Sequence, residues 1–572
     1  MMERTEVHDP IHIQPPAAAR ARSLARAAVP FLAALLYFAV AVALQWVSGA
    51  YASDFGGYPD EPGHYVTGLM VRDYVIHGLP AHPLQFAENY YLHYPKVALG
   101  HWPPVFYVIE AAWMLVFPDS RASVLILMAA LSMSLALCLY RETKNRFGMI
   151  WGLLAGLILV CLPVTQWVTS VIMADLLTAV FMFLAIVRFA RFLDRDRWQD
   201  ACWFGLWASV AILTKGNAWA LACAVPLAVV LRRDFKRLAT ARFWLPAIVV
   251  LAVCGPYHVF AWKMIQHGWP DDPGALRSSL RAVPLLSGFL VSTVGWPLFV
   301  FLLLGFYRKI VLPLRHNSLE SDWASMAALI AGFFGFHLVL YHDITELRYF
   351  IMVAPCMLLF VVAGIEWVRE AAFLRRLPPA VSAAALAVCL GGAFAIWTFR
   401  IPPRPSHGFS GIARDLVSAP GLKDSVFLVS SSDFGEGMFI AEVAEHEQRP
   451  SHFVLRATQQ LVRSSWGGDV YSLRYQTPAD IIRALEDIPV SVVVMHTTWS
   501  SAPMPPHHAL LREGLKAFPQ DWQEVASSLS PPGRLPPEEI RVYRLQRVTP
   551  GSPRRVTVDL TNKLNKVLTG QF

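Results

Sequence analysis

The sequence has little charge for its length. Only 16% of its 572 residues are Asp, Glu, Lys or Arg, whereas 55% are hydrophobic and 12% are aromatic. Globular domains carry roughly 25% charged residues, and disordered chains combine low hydrophobicity with high charge. The composition therefore excludes both a soluble enzyme of this size and a disordered protein, and it predicts a polytopic membrane protein.

Cysteine is scarce, and an internal repeat is absent. All seven cysteines lie in apolar stretches that we predict to span the membrane, so the two long polar segments contain no structural disulfide. We find no repeat relating the two halves of the apolar part of the sequence. Because many transporters are built from such repeats, this absence weighs against a transporter.

Long apolar runs are what the sequence has in abundance. A transmembrane helix needs roughly 20 mostly apolar residues, and we predict about eleven such helices. The first predicted helix is preceded by three arginines and could be mistaken for a signal peptide. Its apolar run is longer than the ~7–15 residues of a signal-peptide core, so we predict an uncleaved anchor. The predicted spans are 28–49, 122–140, 149–164, 170–192, 201–214, 218–231, 243–262, 285–307, 323–341, 349–367 and 379–399.

The charges that are present predict the topology. The net charge is +8, and Lys and Arg concentrate in every second loop, from the N-terminal tail onward. By the positive-inside rule these loops are cytoplasmic, so the excess charge is topological and nucleic acid is not an expected partner. An odd number of spans then places the C-terminal segment outside. We expect a multi-pass protein of the inner (plasma) membrane, with the C-terminal segment in the periplasm.

Three parts follow from this pattern. Residues 1–27 form a cytoplasmic tail, residues 28–400 a transmembrane domain with a large outer loop at 50–121, and residues 401–572 a soluble periplasmic α/β domain. Within the loop, 104–117 predicts an interfacial helix. Within the last part, the patterns predict strands at 425–430, 491–496 and near 452–456 and 540–545, and a helix at 478–487. The fold class is thus mostly α, with a C-terminal α/β domain.

The first outer loop carries two adjacent carboxylates, Asp60 and Glu61, between Pro59 and Pro62. The prolines disfavour a continuous helix at the pair, so the two side chains should point in different directions. One carboxylate can then accept a proton while the other holds a hydroxyl or a metal. The alternative is an ordinary solvated turn.

Several motifs around this pair resemble the GT-C glycosyltransferases, in particular the branch of protein O-mannosyltransferases and of aminoarabinose or galacturonic acid transferases. The resemblance covers roughly residues 28–367 and rests on motifs in the family's order. Besides Asp60-Glu61, these are the segment Gly100–Tyr107 with His101, the acidic position Asp175, the turn Leu213-Thr214-Lys215-Gly216, and Arg348-Tyr349 followed by Pro355.

The resemblance implies a transferase that moves a sugar from a polyprenyl-phosphate donor to a hydroxyl of a protein, lipid or glycan on the outer face. Asp60 would be the base of an inverting displacement, and Asp175 would position the catalytic loop or the acceptor. A phosphate leaving group needs cations rather than an acid, and Arg348, Lys215, Lys96 and His101 are the candidates for binding it. The alternative for the three longer cations is snorkelling to lipid headgroups.

A metal ion is a further possibility, although no cofactor is required. Glu61, His64 and His342 could hold a divalent ion near the donor phosphate. In the C-terminal part, the turn Ser432–Gly437 could bind a small ligand or merely connect a strand to a helix. Two other functions stay open. One is a lipid or solute transporter, and the clustering of the notable carboxylates in one outer loop weighs against it. The other is a non-catalytic assembly protein, which gives no reason for the acidic pair.

Overall fold

The structure is a computed structural model, and it describes residues 17–265, 275–340, 345–370, 378–447, 449–464, 471–498, 504–529, 538–546, 555–561 and 565–571. The first 400 residues are largely helical. The helices are α1 (Ala17–Ser48), α2 (Glu61–Ile76), α3 (Pro83–His93), α4 (Val105–Val116), α5 (Arg121–Phe147), α6 (Met149–Cys161), α7 (Pro163–Thr169), α8 (Asp175–Arg195), α9 (Trp198–Ile212), α10 (Ala220–Arg232), α11 (Ala241–Ile265), α12 (Ala275–Val294), α13 (Trp296–Phe306), α14 (Leu312–Arg315), α15 (Ser321–Leu340), α16 (Ala354–Arg369) and α17 (Pro379–Trp397).

Within the described residues, six helices are long and apolar enough to cross a membrane, or seven if α6 and α7 form one bent span. The bend between α6 and α7 is 62° and falls at Leu162, whose extended backbone is the one that a following proline favours. Four further apolar helices are shorter, from 12 to 17 residues. The predicted count of about eleven spans therefore stays a prediction.

Local signals explain where the bundle helices begin and end. The side chain of Ser120 caps α5 by accepting the backbone N–H of Ser123, and Gly148, with φ of 95°, ends that helix. In α2 the structure differs from the sequence expectation, because the helix runs through Pro62. A proline in the first turn has no intrahelical hydrogen bond to lose, so it does not disrupt the helix there.

Helices α2, α3 and α4 lie at one end of the bundle, where α1 ends and α5 and α8 begin; we call this the loop end. Residues 104–117 are indeed largely helical, as α4. The loop is not a loose connection, since Phe55, Tyr65, Tyr94 and Phe106 are buried. It packs as a folded layer over the ends of the spanning helices.

The C-terminal part, residues 409–571, is an α/β region. Its five-stranded sheet has the order β2-β1-β5-β7-β6, with β1, β2 and β5 parallel and the last two strands antiparallel. The strands match the buried runs predicted from sequence. The elements are α18 (Phe409–Ser418), β1 (Val426–Ser430), α19 (Asp433–His446), β2 (Phe453–Arg456), α20 (Ala457–Gln460), β3 (Val462–Ser464), β4 (Tyr471–Leu473), α21 (Pro478–Asp487), β5 (Val490–Thr498), α22 (Pro506–Ala517), β6 (Trp522–Leu529), β7 (Glu538–Leu545), β8 (Arg555–Asp559) and β9 (Val567–Gln571).

This C-terminal region is fastened to the loop end by buried polar contacts. The Asp54 carboxylate accepts the backbone N–H groups of His407, Gly408 and Phe409 at 2.7, 2.8 and 3.2 Å. A carboxylate at the start of α18 also complements the positive end of that helix. In addition, Glu445 accepts the backbone N–H of Arg121 at 2.8 Å. These contacts place the start of α19 beside the segment that carries Asp60.

Candidate active site

Side chains from four distant segments meet at the loop end. We call this group the charged cluster. It consists of Tyr58, Asp60, Asp175, Lys215, Glu346, Arg348 and Tyr349. Four of these residues, Asp60, Asp175, Lys215 and Arg348, are candidates from the sequence, and the structure brings all four into the same cluster.

Arg348 lies at the centre of the charged cluster. It belongs to the 3₁₀ segment Leu347–Met352, and its side chain is only 4% exposed. Its guanidinium nitrogens lie 3.2 Å from a carboxylate oxygen of Glu346 and 3.6 Å from one of Asp60. Its Cζ atom lies 3.6 Å from the centre of the Tyr58 ring. The Tyr58 hydroxyl donates to Glu346. Burial lowers the pKa of Arg348, but the nearby acidic groups, Asp175 foremost and Glu346 among them, raise it by more, so Arg348 remains a cation.

Asp175 and Lys215 form a buried ion pair. Asp175, the first residue of α8, is fully buried, and its two oxygens accept hydrogen bonds from Lys215 Nζ at 3.0 and 2.8 Å. Lys215 lies in the turn before the 3₁₀ segment Gly216–Trp219, with Nζ 4.7 Å from the Tyr349 ring. Burial lowers the pKa of Lys215, while Asp175 opposes that shift. Asp175, the acidic position of the family resemblance, therefore contacts Lys215 of the Leu213–Gly216 turn directly.

Asp60 and Glu61 occupy opposite environments. Asp60 precedes α2 and its side chain is 40% exposed. Glu61 is fully buried and pairs with Arg121 at 2.9 and 3.1 Å, while its oxygens also accept the backbone N–H groups of Gly57 and Ile172. Asp60 is therefore the carboxylate of the pair that is open to solvent. The contacts of Glu61 hold the loop against α5 and the segment before α8.

The remaining predicted site residues lie on the loop side of the cluster. Lys96 Nζ is 3.5 Å from the carbonyl oxygen of Pro59, so it stays near Asp60. His101 packs against Trp102, with ring centres 5.2 Å apart. Trp102 also stacks on His64 at 4.5 Å. His101 thus belongs to an aromatic group with Trp102 and His64, and the backbone N–H of His64 donates to the carbonyl oxygen of Asp60.

The structure gives the predicted metal site no support. His64 is buried, shares a 2.7 Å hydrogen bond with Tyr107, and has a pKa lowered by that burial. Glu61 is engaged by Arg121, and His342 lies outside the described residues. Among the residues that the structure describes, no group of three His, Cys, Asp or Glu side chains is arranged to hold a metal ion.

An apolar cavity lies among the helices of the bundle. Its volume is about 480 Å³. It is lined at one end by Ile212 and Trp219, which flank Lys215 in the sequence, and at the other by Leu238, Phe243 and Trp244. The cavity therefore runs between α9, α10 and α11, away from the charged cluster.

Sequence reasoning missed the partners that lie far along the chain. Arg121, the partner of Glu61, looks like the first residue of a span, and Trp167, 5.8 Å edge-on from Tyr58, looks like an ordinary apolar residue. No local signal in the sequence connects either residue to the Asp60-Glu61 pair. The sequence signals only that the segment around Asp60 and Glu61 is stiff, through Pro59 and Pro62.

Comparisons with known proteins agree with this picture. The family model described as dolichyl-phosphate-mannose-protein mannosyltransferase matches residues 101–260. The solved structure of ArnT from Cupriavidus metallidurans bound to undecaprenyl phosphate aligns with a TM-score of 0.53 and 14% identity, covering 91% of this chain and 99% of that one. The apo form of the same protein aligns with a TM-score of 0.54 and 13% identity, covering 89% and 97%. No curated protein sequence matches.

The chain therefore has the GT-C fold, and the resemblance noted from the sequence is confirmed. Within that class, the family match indicates a membrane glycosyltransferase of the mannosyltransferase-like kind. The matched region contains His101, Asp175 and Lys215, whereas Asp60 and Arg348 lie outside it.

Proposed function

We propose that this protein transfers a sugar from a polyprenyl-phosphate donor to a hydroxyl of a protein, lipid or glycan acceptor, by inverting displacement at the outer face of the inner membrane. One observation carries this proposal: an exposed carboxylate, Asp60, lies 3.6 Å from a buried arginine, Arg348, at the mouth of the bundle. A base and a phosphate-binding cation side by side are what the reaction needs.

The donor phosphate would lie against Arg348 and Lys215, with Lys96 and His101 at the loop side. Arg348 presents a planar set of donors that can grip a phosphate in a bidentate way. Its contact with Asp60, at 3.6 Å, is longer than its contact with Glu346, at 3.2 Å. An incoming phosphate would therefore displace Asp60 first and leave that carboxylate available to the acceptor.

The apolar cavity between α9, α10 and α11 would take part of the polyprenyl chain. Its almost wholly apolar lining includes Ile212 and Trp219, on either side of Lys215 in the sequence, so an isoprenoid bound there would lose its contact with water while its phosphate lay at the cluster. The structure of ArnT bound to undecaprenyl phosphate supports a donor of this kind.

The reaction would be a single displacement. The acceptor oxygen forms a bond to the anomeric carbon of the sugar, and the bond from that carbon to the phosphate oxygen breaks with its electron pair on the phosphate. The hydroxyl proton moves to Asp60, and the anomeric configuration inverts. Arg348 and Lys215 stabilise the charge that develops on the phosphate, while Asp175 holds Lys215 in place.

The test is a turnover assay with the full chain in nanodiscs. Undecaprenyl phosphate carrying mannose, aminoarabinose or galacturonic acid is supplied with lipid A or a Ser/Thr-containing peptide, and released undecaprenyl phosphate is measured. Asp60→Asn keeps the shape of the side chain but cannot take a proton, so kcat should fall by ~10²–10⁴-fold. Glu88→Gln, in the same loop but on α3, is the matched control and should keep its activity.

Two results would contradict this proposal. The absence of release from every donor by the wild-type protein would exclude transfer to these acceptors. An Asp60→Asn variant that keeps more than about a tenth of the wild-type kcat would remove Asp60 as the base.

A further inference from the structure

The first turn of α19, in the C-terminal region, lies against the segment that carries Asp60. At Gly437, a Cβ atom would come within 2.8 Å of Lys96 Cε and 3.2 Å of Pro62 Cγ. The helix therefore packs closely on the loop at this position, and a larger residue would have to displace the Lys96 side chain and press on Pro62. From the sequence, the turn Ser432–Gly437 is either a site for a small ligand or a plain connection between a strand and a helix. Its contact with Lys96 and Pro62 makes it part of the rim of the candidate site.

The position of this turn is fixed by buried charges. Glu436 is fully buried, and it accepts hydrogen bonds from Arg456 Nε at 2.9 Å and from the backbone N–H of Thr458 at 3.0 Å. At the other end of the same helix, Glu445 accepts the backbone N–H of Arg121 at 2.8 Å. Contacts at both ends hold the side chains of the first turn in one orientation over the cluster.

Phe434 is the side chain that this turn presents to the cluster. Its ring centre lies 6.4 Å from that of Tyr58, at an interplanar angle of 67°. The Tyr58 ring in turn covers the Arg348 guanidinium. Although it lies beside these groups, Phe434 is 41% exposed. A large apolar ring at the rim of a polar site is thus left open to a ligand.

We propose that Phe434 is an acceptor-side specificity residue, which packs against the apolar face of the acceptor beside the hydroxyl that attacks. This inference rests on the proposed function. The donor phosphate and its lipid are assigned to Arg348, Lys215 and the cavity in the bundle. Phe434 instead belongs to the C-terminal region and contacts Tyr58, in the segment that carries Asp60, and in the proposed reaction Asp60 contacts the acceptor hydroxyl.

The chemistry that Phe434 recognises is a C–H-rich surface next to a hydroxyl. One face of a sugar ring has this character, and so does a threonine side chain. An aromatic contact of this kind forms in the ground state as well as in the transition state. Its loss should therefore raise the acceptor KM and leave kcat unchanged.

The experiment uses the full-length protein in nanodiscs, with the donor that supports wild-type turnover, and titrates lipid A and a Ser/Thr-containing peptide as separate acceptors. We expect Phe434→Ala to raise the KM of the accepted substrate about 3- to 10-fold. Its donor KM, and the slow hydrolysis of the donor by water without acceptor, should stay within about twofold of wild type. Phe434→Tyr keeps the ring and should restore the acceptor KM.

The matched control is Phe518→Ala, which removes a 36% exposed phenylalanine at the end of α22. This control should leave every constant unchanged. An unchanged acceptor KM in Phe434→Ala would overturn the inference, and so would a raised donor KM. A lowered melting temperature with loss of both sugar transfer and donor hydrolysis would also overturn it, because it would indicate that Phe434 joins the C-terminal region to the helix bundle. A wild-type protein without turnover would refute the proposed function itself, a result distinct from these.

Discussion

Replacing Asp175 by Asn tests how the charged cluster keeps its lysine protonated. Both oxygens of Asp175 contact Lys215 Nζ, and the lysine side chain is only 17% exposed. Burial lowers the pKa of Lys215, and the attraction of Asp175 opposes this shift. Asn has nearly the same volume as Asp but no charge. The substitution therefore removes the opposing effect and lets burial dominate.

The size of the effect follows from the contact. A hydrogen bond to a charged group contributes about 1.5–3 kcal/mol, and each pKa unit corresponds to about 1.4 kcal/mol. Loss of Asp175 should thus weaken the hold on the protonated lysine by about that free energy and lower the pKa of Lys215 further. The ammonium is the form that would bind the donor phosphate, so in the variant the donor KM should begin to rise at a lower pH than in wild type. Acidification should restore donor binding.

The assay is the donor KM between about pH 6 and 9.5, measured in nanodiscs for wild type and variant. Asp322→Asn is the matched control. Asp322 begins α15 at the opposite end of the bundle and pairs with Arg146 at 2.5 Å, so its loss should leave the pH profile of the donor KM unchanged. A folded Asp175→Asn protein with the wild-type profile would refute the role of Asp175 in keeping Lys215 charged.

Three further predictions use the same preparation. Arg348→Ala should raise the donor KM more than the acceptor KM, and Arg348→Lys should rescue it only partly because the bidentate grip is lost; unchanged donor kinetics would remove Arg348 from the site. Glu61→Gln should act on stability, because it leaves Arg121 buried without its charge partner, and such losses cost about 3–5 kcal/mol; a variant that melts like wild type would contradict this. Burial and the nearby Asp54 raise the pKa of Glu442 from 4.5 to about 8, so between these pH values the folded state holds a proton that the unfolded state has lost. Stability should fall as the pH rises through that window, and Glu442→Gln should remove this slope in melting curves; a slope that persists would exclude Glu442 as its source.

The sequence predicts the C-terminal sheet well because its signals are local. The runs at 425–430 and 491–496 are continuous and apolar, as expected for strands covered on both faces. They appear as β1 and β5 in the centre of the sheet, flanked by β2 and β7. The helix at 478–487 begins at a Thr477 cap followed by proline. Each of these elements is determined by neighbouring residues.

The helices of the membrane part are harder to count from the sequence, because hydropathy does not show where an apolar stretch is broken into two helices. The stretch predicted as one span at 149–164 ends at Pro163, where the chain turns by 62° and continues as α7. The stretch predicted at 285–307 is divided between α12 and α13 at Gly295, whose φ is 79°. Both breaks lie at a proline or a glycine, but the sequence does not show which of its many prolines and glycines break a helix.

The candidate site shows a different limit, because its residues owe their roles to distant partners. Asp60 and Glu61 are adjacent and chemically alike, yet the first faces the mouth of the bundle and the second is buried against Arg121, which lies 60 positions away. The start of α2 between them causes the difference: the residue before a helix stays outside the first turn, while the next one turns inward with it. A motif can therefore locate the pair, but only the ion pair of Glu61 with the distant Arg121 shows which carboxylate is buried and which stays exposed.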